Sequence, residues 1–400
     1  MGEFLSEFGH VFKRLRLRYS FLDFSFATSL TEFLSTYFSH VEVLDISTLY
    51  SPEKPMSPKQ LEMMSSQLEK LYLPELKRLI LPSATHDDPE IQAFVGDLVK
   101  ACPNLQRIDD LTPGLAKALV PTGKMNSVTT MTFKWCDVPE PYAAVTVSPP
   151  CQLTHLEIEE LVEWRYEAEL QSVIWNAFVA VLTASRGTLK YLKLNDLGAQ
   201  LKDLPVFPRL KHLHVQGNAM YFRGEGGTYR LFPENVSNAF PVLTEVTVEV
   251  FGCSGDDRNA VRQNNILKFF LWDEPVLSVK SLNICFAFDK HGMEFLRDIF
   301  PKVTQMCIDW ETCFRQNGPN YRSENFWDVW TVPFRLERLE INRLNPWTRT
   351  DFSLDSFLTG IPESVCRNLR QQEYAEHRVD SCYSDLLRGR PSMLNFKDSK

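Results

Sequence analysis

The sequence predicts an α/β solenoid, in which strands and helices alternate along the chain so that a parallel sheet forms one side and helices form the other. Three observations predict this class: a short apolar motif that recurs along the chain, amphipathic segments between its copies, and a proline close to the start of several copies. The chain has 400 residues, of which 44% are hydrophobic and 24% are charged. It therefore has enough apolar side chains for an extended core, and disorder is excluded as its main state.

The recurring motif has apolar residues at a first position and again three and five positions later. The last two residues are two apart, so in a strand they lie on the same face. Twelve copies begin at residues that lie 324 positions apart from first to last, an average interval of about 29, as in leucine-rich repeats. The copies begin at Phe12, Val41, Leu76, Leu105, Val128, Leu153, Leu189, Leu210, Leu243, Val279, Val303 and Leu336. The fourth copy is irregular, because Asp110 occupies its third apolar position.

The segments between the copies have the apolar periodicity of amphipathic helices. The clearest helices are predicted at 89–101 and 167–185, and shorter ones at 29–38, 58–71, 260–271 and 291–300. A proline lies two residues before the copies that begin at Leu105, Leu210, Leu243 and Val303. Proline ends a helix and favours an extended conformation in the residue before it. We therefore expect a horseshoe of about twelve irregular repeats, with the parallel sheet on the concave side and the helices on the convex side.

The Leu-x-x-Leu-x-Leu cores, the long helical repeats and the segment Cys102-Pro103-Asn104-Leu105 resemble the leucine-rich-repeat region of F-box proteins over about residues 9–370. The resemblance implies a substrate-recognition subunit of an SCF-type ubiquitin ligase, which directs proteins to proteasomal degradation. No F-box is recognisable in this chain, and the residues before Phe12 are too few to contain one. A Skp-type adaptor is therefore expected as a partner only if an F-box lies outside this chain or has diverged within it. The alternative is a leucine-rich-repeat adaptor or regulator that is unrelated to ubiquitin.

The strand register predicts which side chains face a partner on the concave side. Positions two, four and six residues after the start of each copy point away from the core, and nearly all of them are polar. Aromatic, imidazole and carboxylate groups are concentrated in the middle copies, and such groups on a rigid surface favour specific recognition. The solvated face of a sheet would also be polar, so this assignment is a hypothesis. The candidate binding residues are His155, Glu157, Glu159, Tyr191, Lys193, His212, His214, Glu245 and Glu249.

The composition and motifs also disfavour other functions. A formal net charge of −8 argues against nucleic-acid binding through a global basic field. The first strands nevertheless contribute a local basic end, formed by Arg14, Arg16, Arg18, Arg78 and Arg107. No segment predicts a membrane span or a secretory signal, so we expect a cytoplasmic or nuclear protein. A zinc site at His212 and His214 with Glu245 or His155 is disfavoured, because nothing in the spacing shows four converging ligands. We expect no cofactor and no enzymatic activity, since no motif with a catalytic mechanism is present.

A solenoid needs atypical segments to cover the exposed core at its two ends. Residues 1–8 and the amphipathic segment 352–369 are the expected caps. We therefore expect a single leucine-rich-repeat domain over residues 1–370, followed by a frayed C-terminal tail over 371–400.

Overall fold

The computed structural model describes residues 11–17, 20–22, 24–50, 55–82, 88–134, 149–159, 168–195, 205–218, 236–251, 274–284, 290–309, 336–342 and 395–397. These residues belong to two compact units, Met1–Lys190 and Tyr191–Lys400. The predicted helix at 260–271, the predicted caps and most of the predicted tail lie outside the described residues.

The first unit contains a parallel sheet whose neighbouring strands follow one another along the chain. A small second sheet is formed by β2 (Ser20–Phe21) and β4 (Leu49–Tyr50), which are also parallel. The strands of the main sheet are β1 (Arg14–Arg16), β3 (Val43–Asp45), β5 (Arg78–Ile80), β6 (Arg107–Leu111), β7 (Thr130–Lys134) and β8 (His155–Glu159).

Helices connect the strands of the first unit. They are α1 (Phe24–Tyr37), α2 (Pro58–Leu68), α3 (Pro89–Lys100), α4 (Pro113–Leu119) and α5 (Ala168–Ser185). Three of them begin in the same way, because Ser57, Asp88 and Thr112 each accept a hydrogen bond from a backbone N–H of the first turn and are followed by a proline. A proline at this position loses no helical hydrogen bond. Helix α1 begins five residues before the predicted segment, and α4 was not predicted although Thr112-Pro113 carries this start signal.

The second unit has the same order of strands, each parallel to the next along the chain. Its described helices are α6 (Val236–Ala239) and α7 (Lys290–Ile299). The strands are β9 (Tyr191–Asn195), β10 (His212–Asn218), β11 (Glu245–Phe251), β12 (Ser281–Ile284), β13 (Gln305–Asp309), β14 (Arg338–Asn342) and β15 (Asn395–Lys397). The last strand lies within the range that the sequence predicts to fray, but the division at residue 370 stays a prediction.

The core of each unit is a ladder of apolar side chains from the second apolar position of the motif, three residues after its start. In the first unit the register aligns Leu44, Leu79, Ile108, Met131 and Leu156, and all five are fully buried. In the second unit it aligns Leu192, Leu213, Val246, Leu282 and Met306, which are at most 1% exposed. The predicted direction of these side chains is therefore confirmed.

The irregular fourth repeat differs from the sequence expectation. Leu111 was expected to face outward, but it is fully buried and pairs with Phe133 across the sheet. The reason is an extra residue in β6: the register shifts between Ile108 and Leu111, and Asp110 adopts a positive φ of 62°. Such a bulge turns the following side chain to the other face of the strand. Leu111 thereby takes the buried position that the motif would have given to residue 110.

Prolines shape the turns that lead into the strands. Leu76, Leu210, Leu243 and Val303 each donate a backbone hydrogen bond to the carbonyl three residues earlier, at 3.2–3.3 Å. In every case the second residue of the turn is a proline, whose fixed φ suits this position in a β-turn. The sequence predicts a strand-entry role for three of these prolines, Pro208, Pro241 and Pro301, whereas the turn at Pro74 was not predicted.

The structure is α/β with parallel sheets, which agrees with the predicted class. The count of about twelve repeats and the horseshoe curvature stay predictions. Among the described helices, none is both long and apolar enough to cross a membrane.

Candidate functional site

The face of each sheet opposite the apolar ladder is called here the polar face. In the second unit the register aligns side chains of this face in rows across β9, β10, β11 and β12. One row contains Tyr191, His212, Glu245 and Ser281, and the next contains Lys193, His214, Thr247 and Asn283. Glu249 follows in a third row beside Gln216. Six of the nine predicted residues are therefore on neighbouring strands.

A chain of hydrogen bonds crosses three of these strands. The Tyr191 hydroxyl lies 3.2 Å from Nδ1 of His214, and Nε2 of the same imidazole lies 3.0 Å from Oε2 of Glu249. A carboxylate only accepts hydrogen bonds, so Nε2 carries a proton. In the neutral imidazole Nδ1 then accepts from the Tyr191 hydroxyl. Both partners therefore hold the ring of His214 in one orientation.

His212 belongs to a second set of polar contacts. Its Nε2 lies 2.7 Å from the Thr247 hydroxyl, and its Nδ1 lies 3.7 Å from Oε2 of Glu245. The side-chain amide of Asn283 donates to Oε1 of Glu245 at 2.7 Å and to the Thr247 hydroxyl at 3.1 Å. The Thr247 hydroxyl accepts from Asn283 and keeps a second lone pair and its own proton, so it can either donate to Nε2 of His212 or accept from it. Both tautomers of neutral His212 fit these contacts.

The aromatic rings stack in a compact group. Tyr191 and His212 meet edge to face, with ring centroids 4.7 Å apart and an interplanar angle of 85°. The rings of His212 and His214 are nearly parallel at 6.4 Å. Tyr191, His212, His214, Glu245 and Glu249 are called here the histidine cluster. Its imidazole and carboxylate side chains are 14–38% exposed, so they are fixed by neighbours and still reach the surface.

The other predicted residues are less closely tied to this cluster. Lys193 lies in the row of His214 and is half-buried, without an ion pair to any residue in the described part of the chain. His155 and Glu157 lie on β8 in the first unit, so their place relative to the cluster stays a prediction. Partial desolvation lowers the pKa of His155 and outweighs the opposing charge of Glu157. The side chain of Glu159 lies outside the described residues.

The histidine cluster is held by polar neighbours that the sequence prediction did not select. Thr247 and Asn283 lie in the predicted rows, but their importance comes from the hydrogen bonds that orient His212 and Glu245. Across the described ranges, no group of three or more potential ligands is placed to hold a metal ion. The two imidazoles instead contact Thr247 and Glu249.

A second polar cluster, on the polar face of the first unit, was predicted only as a basic end. Buried Asp109 accepts hydrogen bonds from Nε of Arg78 and, at 2.8 and 3.1 Å, from Nε of Arg107. The hydroxyl of Thr132 adds a third donor at 3.3 Å. Arg78, Arg107 and Asp109 form one half of what is called here the arginine–aspartate network.

The other half of the network surrounds Asp45, which is 3% exposed. Nε of Arg16 and Nη2 of Arg14 lie 3.3 and 3.6 Å from its Oδ2, and the Ser47 hydroxyl donates to its Oδ1 at 2.7 Å. Burial acts to raise the pKa of Asp45, but the hydrogen bonds from Ser47 and the two arginine charges together outweigh it, and the pKa is lowered. Asp45 is therefore held in its charged form. The predicted basic residue Arg18 lies outside the described residues.

Comparisons with known proteins do not assign a family to this chain. No protein-family model matches it, and no curated protein matches its sequence. Among solved structures, a chain in the crystal structure of the Rad7 and Elc1 complex from yeast is similar at a TM-score of 0.27 with 10% identity. The similarity covers 75% of this chain and 87% of that chain. These values are too low to carry an argument about fold or function, so the site must be interpreted from its own geometry.

Proposed function

We propose that this chain is a non-enzymatic protein-binding scaffold and that the histidine cluster contacts its protein partner. The single observation that supports this proposal most directly is the group of one tyrosine and two imidazoles on neighbouring strands of a polar sheet face, joined by ring contacts and by the hydrogen bond between Tyr191 and His214. Tyrosine and other flat amphipathic rings are enriched among the residues that dominate protein interfaces. Six of the nine predicted binding residues lie in the second unit, and five of these six form the histidine cluster.

The geometry favours recognition because the side chains are fixed before a partner arrives. Tyr191 and Glu249 orient His214, and Thr247 orients His212. A side chain that is already immobilised loses little conformational entropy on binding, so more of its contact energy contributes to affinity. The strands beneath the cluster are tied by a continuous parallel register. This support holds the rings at constant spacing.

For the biological role, we propose a substrate-recognition subunit of an SCF-type ubiquitin ligase, with the substrate on the predicted concave face. This finer proposal rests on the resemblance of the Leu-x-x-Leu-x-Leu repeats and the Cys102-Pro103-Asn104-Leu105 segment to F-box proteins. A leucine-rich-repeat adaptor unrelated to ubiquitin is the alternative. The non-enzymatic part of the proposal rests on the sequence, in which no motif with a catalytic mechanism was found.

The surface is tested by affinity capture of the full chain and its variants, with quantitative mass spectrometry of the captured proteins. We expect Tyr191→Ala combined with His212→Ala to reduce capture of specific partners at least about tenfold, as expected for interface hot spots. Gln305→Ala is the matched control, because Gln305 is an exposed residue of the same row on β13. Equal capture by the double variant and the wild type, with both folded, would exclude the cluster as the partner site.

The ubiquitin link is tested separately by direct binding of a purified Skp-type adaptor to this chain. Adaptor binding would favour the ligase role, and absence of binding would favour the unrelated adaptor unless an F-box lies outside this chain. This second result would leave the histidine cluster as a partner site, since it concerns a different surface. The two parts of the proposal therefore fail independently.

A further inference from the structure

The arginine–aspartate network is a charged surface that the proposed function does not use. It consists of Arg14, Arg16 and Asp45 in one half and Arg78, Arg107 and Asp109 in the other. Four arginines and two carboxylates leave a net charge of 4 − 2 = +2, or +1 for each half, in a chain whose overall formal charge is −8. Asp110, next to Asp109 in the chain, is paired with Lys134, whose Nζ lies 3.2 Å from its Oδ2. The carboxylate of Asp110 therefore does not cancel the positive charge of the network.

The second half of the network keeps most of its hydrogen-bond donors unused. A guanidinium group has five N–H donors, and both Arg78 and Arg107 contact Asp109 through Nε. Within the described ranges, the terminal Nη atoms of these two arginines make no hydrogen bond. The two side chains are 36% and 37% exposed. Each guanidinium therefore presents paired N–H donors that an anion can reach from solvent.

Asp109 orients these donors. It is only 5% exposed and lies beside the bulge at Asp110, where the chain adopts a positive φ. Backbone conformations of this kind persist where the surrounding structure enforces them, often at functional sites. A buried carboxylate that holds two arginines by Nε fixes the planes of both guanidinium groups. Fixed, parallel N–H pairs are the geometry that binds a carboxylate with two hydrogen bonds.

We propose that the arginine–aspartate network binds an acidic peptide segment, with one carboxylate side chain of the peptide at each pair of arginines. The charge selects this occupant, because an excess of +1 in each half matches one carboxylate, whereas a phosphate group carries about −1.5 to −2. Asp45 on β3 and Asp109 on β6 are separated by two strand intervals, or about 10 Å. In an extended peptide, side chains four residues apart lie on the same face, about 13 Å apart, and flexible glutamate side chains can close the remaining difference. The proposal does not depend on the histidine cluster, which belongs to the other unit.

The probe is a short Gly/Ser peptide with two glutamates four residues apart, so that both lie on one face of the extended peptide. Binding to the full chain is measured by isothermal titration calorimetry at low salt. A peptide with glutamines in place of the glutamates is the neutral control, and one with phosphoserines tests the other anion. We expect the glutamate peptide to bind and the glutamine peptide not to bind, with affinity that falls as salt is added. Tighter binding of the phosphoserine peptide would overturn the assignment to carboxylates. Equal binding of the glutamine peptide would overturn the proposal.

Asp109→Asn distinguishes an oriented site from a general basic field, because the two explanations predict opposite changes in the affinity for the glutamate peptide. The substitution raises the net charge by one, so a general field would bind the peptide more tightly. If Asp109 orients the arginines, we expect binding to weaken by at least about fivefold. Circular dichroism establishes that the variant is folded. Tighter binding by a folded variant would overturn the proposal.

Arg107→Lys provides a second test if Asp109→Asn does not fold. Lysine keeps the positive charge but lacks the forked N–H pairs, so we expect binding of the glutamate peptide to fall at least about fivefold. Lys59→Gln is the matched control, since it removes one exposed positive charge from helix α2 of the same unit. We expect it to change the affinity less than about twofold. Equal effects of Arg107→Lys and Lys59→Gln would contradict the proposed site.

Discussion

Leu213→Ala should destabilise the second unit strongly, because this side chain lies in the middle of its apolar ladder. Leu213 is fully buried between Leu192 on β9 and Val246 on β11, which are also fully buried. The substitution removes three carbon atoms, worth roughly 2.4 kcal/mol at 0.8 kcal/mol for each buried methylene. The strands on both sides are held in register, so the space cannot close completely and the cavity adds to the cost. We expect the free energy of unfolding to fall by about 3–5 kcal/mol.

Equilibrium unfolding in urea, followed by far-ultraviolet circular dichroism, measures this loss. Leu277→Ala is the control with identical chemistry, because Leu277 is 58% exposed. Its substitution should change the free energy of unfolding by no more than about 0.5 kcal/mol. If the two variants lose the same stability, Leu213 does not belong to a packed core and the deduced direction of the strand side chains is wrong.

Three further predictions concern the first unit. Burial raises the pKa of the Cys102 thiol to about 12, so iodoacetamide at pH 8 should label exposed Cys151 and leave Cys102 unmodified in the native protein, as read by peptide mass spectrometry. The pKa of Asp45 is lower in the folded state than in the unfolded chain. The charged carboxylate therefore stabilises the fold fully above the unfolded pKa of about 3.9, and this stabilisation is lost as the pH falls through the folded pKa. Asp45→Asn should accordingly lower the urea midpoint more at pH 7 than at pH 3. Ser57→Ala removes the capping box of α2 and should cost about 1 kcal/mol in the same urea assay.

The strand ladders could be predicted from the sequence because their signal is local. Apolar residues two apart must share a face of a strand, and a proline before the strand sets where it begins. The first rule correctly placed Leu156, Leu192 and Leu213 in the core, and the proline rule applies to the strand of Leu213. The apolar spacing also predicted the rows that bring Tyr191 beside His212, because parallel neighbours in register have fixed spacing.

The remaining features depend on backbone angles, side-chain rotamers and hydrogen-bond directions, which a linear motif does not determine. The bulge at Asp110 restores an apolar residue to the core by a single unusual backbone angle, and the motif alone gave the wrong face for Leu111. The pairing of Arg107 with Asp109 depends on which rotamers satisfy a buried carboxylate. The roles of Thr247 and Asn283 likewise come from hydrogen-bond directions across strands. In the last two cases the energy comes from satisfying polar groups that are largely removed from water, and apolar periodicity carries no signal for it.

The proline turns before the strands have a consequence for how this chain tolerates changes in length. Each turn closes over four residues, so the start of the strand is defined locally and does not depend on how many residues precede it. Leu210 follows such a turn and starts 21 residues after Leu189, whereas Leu243, which also follows such a turn, starts 33 residues after Leu210. Insertions and deletions can therefore accumulate between a strand and the next turn while the surface side chains keep their alignment. Such a chain can be lengthened or shortened between its strands, in evolution or by engineering, without changing the alignment of side chains on the polar face.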